Sequence, residues 1–255
     1  MLATAVQIAR QAGELALSLR GQVACSDKTD GTWVTEADRA LEELIRHRLS
    51  EAFPDHAVYG EEFGGAGRLA DGPCWLLDPI DGTVNYVTGL PSWGVSIGLL
   101  WDGVPEVGVF YLPVTGELFE AQRGRGARVN GCAVRVDGRG APDRHSLWAM
   151  NSDALKRVEL QVPGMLRNLG STAAHGCYVA SAGVVAAVFD LWRTWDVAAA
   201  FCIASEAGAE ARYLDGRPFA GLGDLAPDHI GEALAVGPKW AVEALLSGAR
   251  VRRDP

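Results

Sequence analysis

The stretch Trp75-Leu76-Leu77-Asp78-Pro79-Ile80-Asp81-Gly82-Thr83-Val84-Asn85-Tyr86 is an apolar run that ends in two acids three residues apart across a proline. A short apolar run closed by breakers predicts a buried strand. Pro79 has no N–H to give to a ladder, so the strand is expected to stop there and the chain to turn. Such a turn lets Asp78 and Asp81 converge on one point, with the backbone amides of Gly82 and Thr83 beside them at a helix start. Carboxylate oxygens next to unpaired amides suit a cation and a phosphate together. An isolated Asp-Gly reads equally well as a surface turn capped by Asp78, and the stretch alone leaves both readings open.

Outward from this stretch, residues 93–101 predict a second strand after a bend rich in Gly and Pro. Residues 118–121, 127–129 and 133–136 predict short strands, separated by Gly124-Arg125-Gly126 and by the hairpin dipeptide Asn130-Gly131. The first half is thus expected to end as an antiparallel meander. Upstream, Leu2, Val6, Ala9, Ala16 and Leu19 recur at helical spacing and Gly21 stops the helix. Thr35 and Asp38 have capping-box spacing ahead of Leu41, Leu44, Ile45 and Leu49, and Phe53-Pro54-Asp55 ends this second helix. From Ser146 strands and helices alternate, and 180–189 and 197–207 are expected to be buried helices by length and Ala content. No repeat or linker interrupts the chain. A loop over 137–144 marks where approximate halves 1–140 and 141–255 of one domain meet, in a layered mixture of α and β.

Three further acid-bearing motifs accompany the first. Tyr59-Gly60-Glu61-Glu62-Phe63-Gly64 places a carboxylate pair at a strand end, which reads as a source of hard oxygen ligands or as a solvated acidic turn. Trp33-Val34-Thr35-Glu36-Ala37-Asp38-Arg39 and Trp195-Asp196-Val197-Ala198-Ala199-Ala200 each put an aspartate in the first turn of a helix, where an acid complementing the helix dipole is ordinary. Each motif alone is weak, and together they are specific.

Composition narrows the class. The 255 residues carry a net charge of −9, which argues against nucleic-acid partners, because such affinity rests on Lys and Arg neutralising phosphates. A cation held by clustered acids would still reverse the local field and admit a small phosphate. Cys25, Cys74, Cys132, Cys177 and Cys202 are odd in number and widely spaced, which suggests reduced thiols in the cytoplasm. No cleavable leader and no apolar run long enough to span a bilayer is visible, so no membrane association is expected. No His or Cys lies in any motif, so oxygen-only ligation by magnesium is expected in place of zinc. The five histidines lie outside the motifs, with His175 directly after Gly170-Ser171-Thr172-Ala173-Ala174, and Trp75, Trp93 and Trp195 are expected to wall the metal cavity.

These four motifs in this order resemble the inositol monophosphatase family, within the larger magnesium-dependent, lithium-sensitive phosphatase group that includes fructose-1,6-bisphosphatases. The likeness extends to Gly170-Ser171-Thr172-Ala173-Ala174, Glu206-Ala207-Gly208-Ala209 and Val236-Gly237-Pro238. It implies an α/β fold, a five-layer α/β/α/β/α sandwich, and a homodimer. It also implies that Glu61, Asp78 and the Ile80 carbonyl bind one magnesium, that Asp78, Asp81 and Asp196 bind a second, and that a third, weaker ion also uses Glu61. Asp38 and Thr83 would orient the attacking water, with Glu61 in the catalytic set. Gly82, Thr83, Asp81, Ser171 and Asp190 would face the substrate, with Glu62 and Lys28 in supporting positions. The implied activity is hydrolysis of a small phosphate monoester of the inositol 1-phosphate type. The Asp30-Gly31-Thr32 wording looks closer to bacterial histidinol-phosphate phosphatases, and Asp190 is the nearest counterpart of a glutamate that contacts inositol hydroxyls. Histidinol phosphate is therefore the alternative substrate, and a catalytically silent phosphoester- or metal-binding regulator is the alternative of another class.

Overall fold

The computed structural model describes residues 1–21, 25–27, 33–65 and 68–252. In chain order the elements are α1 (Leu2–Leu19), β1 (Cys25–Asp27), β2 (Trp33–Thr35), α2 (Glu36–Ala52), β3 (Ala57–Gly60), β4 (Pro73–Asp81), α3 (Thr83–Thr88), β5 (Gly94–Trp101), β6 (Val104–Leu112), β7 (Glu117–Gln122), β8 (Ala127–Val129) and β9 (Cys132–Val134). There follow β10 (Leu147–Met150), α4 (Ser152–Arg157), β11 (Val158–Leu160), β12 (Met165–Arg167), α5 (Thr172–Ala180), β13 (Ala186–Phe189), α6 (Thr194–Glu206), β14 (Glu210–Tyr213), β15 (Leu234–Gly237), α7 (Lys239–Gly248) and β16 (Ala249–Val251). Among the described residues β3 to β9 form a seven-stranded sheet in sequence order, and β12-β10-β13-β15-β14 form a five-stranded one.

Alternation along the strands sorts side chains into layers. On β4 and β5, Trp75, Leu77, Val95, Ile97 and Leu99 pack with α1 and α2. The intervening Cys74, Leu76 and Leu100 face the opposite way and share a core with Val197, Ala198 and Phe201 of α6. That core continues into the second sheet through Ala149, Ala187, Phe189, Leu234 and Val236. On the far face of this sheet, Trp148, Met150, Ala186, Val188 and Ala235 meet Ala241, Val242 and Leu245 of α7. The layers are therefore α1 and α2, sheet, α5 and α6, sheet, α4 and α7, which is the five-layer sandwich expected.

One expected helix is a turn and a strand instead. Residues 180–189 do not form a helix: α5 ends at Ala180, Ala182 has positive φ, and Gly183 and Val184 donate to the Tyr178 carbonyl in a tight turn. The run Ala186-Ala187-Val188-Phe189 then becomes a strand buried on both faces, where an apolar run carries no period to distinguish it from a buried helix. The segment 104–112, unassigned from sequence, is a nine-residue strand in the meander. The Asn130-Gly131 hairpin is present, with φ of 49° and 79° at its two central residues.

α6 approaches the large sheet at backbone contact. Gly98 and Gly108 are register partners on β5 and β6. A Cβ at Gly98 would stand 2.7 Å from Ala198 Cβ and 2.8 Å from Ala199 N, and one at Gly108 would overlap the Ala199 carbonyl. This trough seats the small residues of α6 and so fixes the helix that carries Asp196. Gly108→Ala is expected to lower the unfolding free energy by about 1–3 kcal/mol through overpacking, read as a lower urea midpoint; an unchanged midpoint would contradict the contact.

Candidate active site

β4 delivers its two acids to one face by means of a bulge. Asp78 is in register with Ser96 and Asp81 with Gly94, so three steps on β4 match two on β5. An odd separation on a regular strand would put the two carboxylates on opposite faces. The extra residue returns Asp81 to the side of Asp78, toward α6. The strand thus runs on to Asp81 instead of ending at Pro79 as expected, and the proline sits in the bulge, where a missing N–H is tolerated. Gly82 follows with φ of 95°, and α3 begins at Thr83.

Each acid is held by neighbouring donors. Asp78 Oδ1 accepts the Ile80 N–H at 3.0 Å. Asp81 accepts the Thr172 and Ala173 N–H groups at 3.0 and 2.7 Å and the Ser171 hydroxyl, so it sits on the first turn of α5. Asp196, in the first turn of α6, accepts the Arg193 N–H at 2.9 Å. Asp38 closes the capping box of α2, accepting the Thr35 N–H at 2.8 Å and the Thr35 hydroxyl at 2.7 Å. Its other oxygen faces the Thr83 hydroxyl at a long 3.5 Å, and that hydroxyl also donates to the Ile80 carbonyl at 3.2 Å.

Glu61, Asp78, Ile80, Asp81, Gly82, Thr83 and Asp196 line one open cavity of about 850 Å³, with Ser152, Asp153, Lys156, Arg193 and Trp195 also on its wall. Burial first, and then Glu61, Asp81 and Asp196 in turn, push the Asp78 carboxyl well above the ordinary range. Burial also raises Asp81, to about 6, although Ser171, Ala173 and Thr172 pull it down. Asp196 is raised by burial, then by Asp81 and Glu61. Among the described residues no three His, Cys, Asp or Glu side chains form a finished metal cage, since several of these oxygens are turned onto amides and hydroxyls. The donor set fits a hard divalent cation all the same: it is oxygen throughout, it includes the Ile80 carbonyl, and its crowded negative charge calls for positive charge between the acids.

Ser171 is buried beneath Asp81, while its neighbours Gly170 and Thr172 line the cavity. Asp190 lies off the cavity: it is buried, its Oδ2 stands 3.2 Å from Arg157, and it lines a separate hollow with Arg217 and Glu232. Glu62 gives its N–H to Glu42 at 2.7 Å. Lys28 lies outside the described residues. Trp195 does wall the cavity, but Trp75 and Trp93 belong to the α1–α2 core: Trp75 donates to His56 Nδ1 at 3.1 Å, and Trp93 packs edge-on against Tyr86.

Sequence reasoning missed Glu42, Asn85 and the wall residues on α4. Asn85, though inside the quoted stretch, donates to the Ser92 and Leu169 carbonyls at 2.6 and 2.7 Å and ties α3 to the loop before α5. Its position three residues after Gly82 was the available signal. Asp153 and Lys156 offered none, because they are charged residues three apart on a short helix, half-buried and exposed respectively.

A model described as the Inositol monophosphatase family matches residues 1–245. A histidinol-phosphatase of Chlorobaculum parvum is 37% identical over 221 residues, covering 81% of this chain and 83% of its own. A protein named Nus factor SuhB from Pasteurella multocida is 35% identical over 222 residues, covering 82% of this chain and 83% of its own. The crystal structure of extragenic suppressor protein suhB from Bartonella henselae aligns with a TM-score of 0.83 at 27% identity, covering 96% of each chain.

His175 does not line the cavity. It is buried in α5, its Nε2 accepts the Leu169 N–H at 2.8 Å, and burial lowers its pKa to about 4. The folded protein therefore keeps the ring neutral while the unfolded chain takes up a proton near pH 6.5. Stability from this group is complete above pH 6.5 and falls, by about 3 kcal/mol in all, as pH drops to about 4. His175→Gln is expected to flatten the decline of Tm over that window; an identical pH slope would contradict the assignment.

Proposed function

Because the chain belongs to the inositol monophosphatase family and is a phosphoric monoester hydrolase, we propose that its cavity hydrolyses a small phosphate monoester in a magnesium-dependent reaction. The observation that supports this most is the convergence of Glu61, Asp78, Asp81 and Asp196 on the cavity that also receives Gly82 and Thr83. Glu61, Asp78, the Ile80 carbonyl, Asp81 and Asp196 hold two or three ions. Magnesium there supplies positive charge against the phosphate dianion and makes a nearby water more acidic.

The chain's own groups do the rest. The Gly82 and Thr83 amides hold phosphate oxygens at the end of β4. Asp38 fixes the Thr83 hydroxyl, and Thr83 and Glu61 orient the attacking water for in-line displacement. The α2 capping box keeps Asp38 from turning away. Retention of Asp38, Thr83 and every metal carboxylate favours the enzyme over a silent regulator, although a relative carries the name Nus factor SuhB.

For the leaving group, the inositol 1-phosphate reading gave Asp190 a substrate contact. Asp190 instead pairs with Arg157, and Asp153 stands on the cavity wall 3.4 Å from Lys156, a pair whose carboxylate a substrate alkylammonium would engage in place of the lysine. That observation, with a histidinol-phosphatase among the relatives, favours an amino alcohol ester such as histidinol phosphate. The homodimer, the lithium sensitivity and the cytoplasmic setting belong to the same reading; Cys74, Cys132, Cys177 and Cys202 are unbridged, and no described helix is long and apolar enough to cross a membrane.

Phosphate release from histidinol phosphate, inositol 1-phosphate, fructose 1,6-bisphosphate and adenosine 3',5'-bisphosphate, each with magnesium and with chelator, tests both levels. Histidinol phosphate is expected to react fastest, and only with magnesium. Thr83→Val is expected to lower kcat by roughly 10²–10⁴-fold with the fold intact. Turnover in chelator, or full activity in Thr83→Val, would sink the mechanism.

A further inference from the structure

On α2 the residues Asp38, Glu42 and Arg46 follow one another at four-residue spacing and lie along one face. Glu42 is fully buried. Its Oε2 accepts the Glu62 N–H at 2.7 Å, and its Oε1 accepts the Phe63 N–H at 3.2 Å and Arg46 Nε at 2.7 Å. Arg46 donates in turn to the Val58 carbonyl at 3.3 Å and to the Gly64 carbonyl. Gly60 and Gly64 close the segment by exchanging backbone hydrogen bonds of 3.0 Å each. A Cβ at Gly60 would overlap the Glu42 carboxylate, so glycine lets the turn close against it. Glu61, the first residue inside this closed turn, donates its N–H to the Leu77 carbonyl on β4 at 3.1 Å and lines the cavity.

A buried carboxylate is costly unless its lone pairs are satisfied. Here all the partners named are backbone amides of the Glu61 turn or the guanidinium that grips the same turn. We infer that Glu42, braced by Arg46, is a positioning residue that holds the 60–64 turn so that Glu61 presents its carboxylate to the magnesium site. One rigid helix then sets two parts of the site: its first turn carries Asp38 against Thr83, and its second carries Glu42 under Glu61. The inference rests on the magnesium reading above.

The test compares wild type, Glu42→Gln and Arg46→Lys by calorimetric titration with magnesium alone, by magnesium dependence of turnover, and by amide hydrogen exchange without metal. Glu42→Gln is expected to weaken magnesium binding by about tenfold, as for other residues that orient metal ligands. The half-saturating magnesium concentration should rise in step, while kcat at saturating magnesium falls no more than about twofold. Exchange should quicken across 61–64 and stay unchanged in α6. If Glu42→Gln does not fold, Arg46→Lys, which leaves the carboxylate in place, must show the same pattern at smaller amplitude. Wild-type magnesium affinity in the variants, or an exchange increase spread over the whole chain, overturns the inference and leaves the magnesium reading standing. Absence of magnesium binding by the wild type overturns both.

Discussion

Carboxylates brought together in a partly buried cavity repel one another, and the arrangement around this cavity is a set of restraints against that repulsion. Burial and mutual charge raise Asp78, Asp81 and Asp196 together. Each is nevertheless held by backbone amides: Asp81 by the start of α5, Asp196 by the start of α6, Asp78 by the amide two residues on. Helix N-termini suit this task, since their free N–H groups and dipoles favour negative charge. The restraints pin the acids without cancelling their charge, which suits a divalent cation between them.

The sandwich makes this convergence possible. α6 touches both sheets, and its seat over Gly98 and Gly108 puts Asp196 at the end of β4, where the bulge has turned Asp78 and Asp81 to the same side. α5 packs beside α6 between the sheets and brings the Ser171 cap onto Asp81. On the outer layer, α2 packs on the opposite face of the large sheet and sets the buried Asp38 behind Thr83, which lines the cavity. The starts of α2, α3, α5 and α6 and the ends of β3 and β4 therefore meet at a single place.

Much of this was readable from local chemistry. The Thr35–Asp38 capping box, the Asn130-Gly131 hairpin and the amphipathic α1 are short-range features, and the structure shows each of them. Clustering of the acid motifs was readable because four motifs each needed a common reason. What was not readable depended on contacts distant in sequence. The bulge at Pro79 requires knowing the register against β5. The strand at Ala186–Phe189 is buried on both faces and so has no period. Asp190 was assigned as the nearest counterpart of a glutamate of the family, and its partner, Arg157, is the last residue of α4. Glu42 was hidden within a helix whose neighbouring residues explain themselves as core.

The most direct measurement is thermal unfolding with and without magnesium between pH 5 and 8. Asp81 has a folded-state pKa of about 6, above the ordinary 3.8, so the metal-free fold binds a proton as pH falls through 6 and is penalised most at high pH, where the acids are charged. Magnesium needs those charged acids. At about a hundred times its dissociation constant it should raise Tm at pH 8 by roughly 5–10 °C, and the increment should shrink toward pH 5. No increment at pH 8, or one that does not change with pH, would contradict the claim that these carboxylates form the metal site.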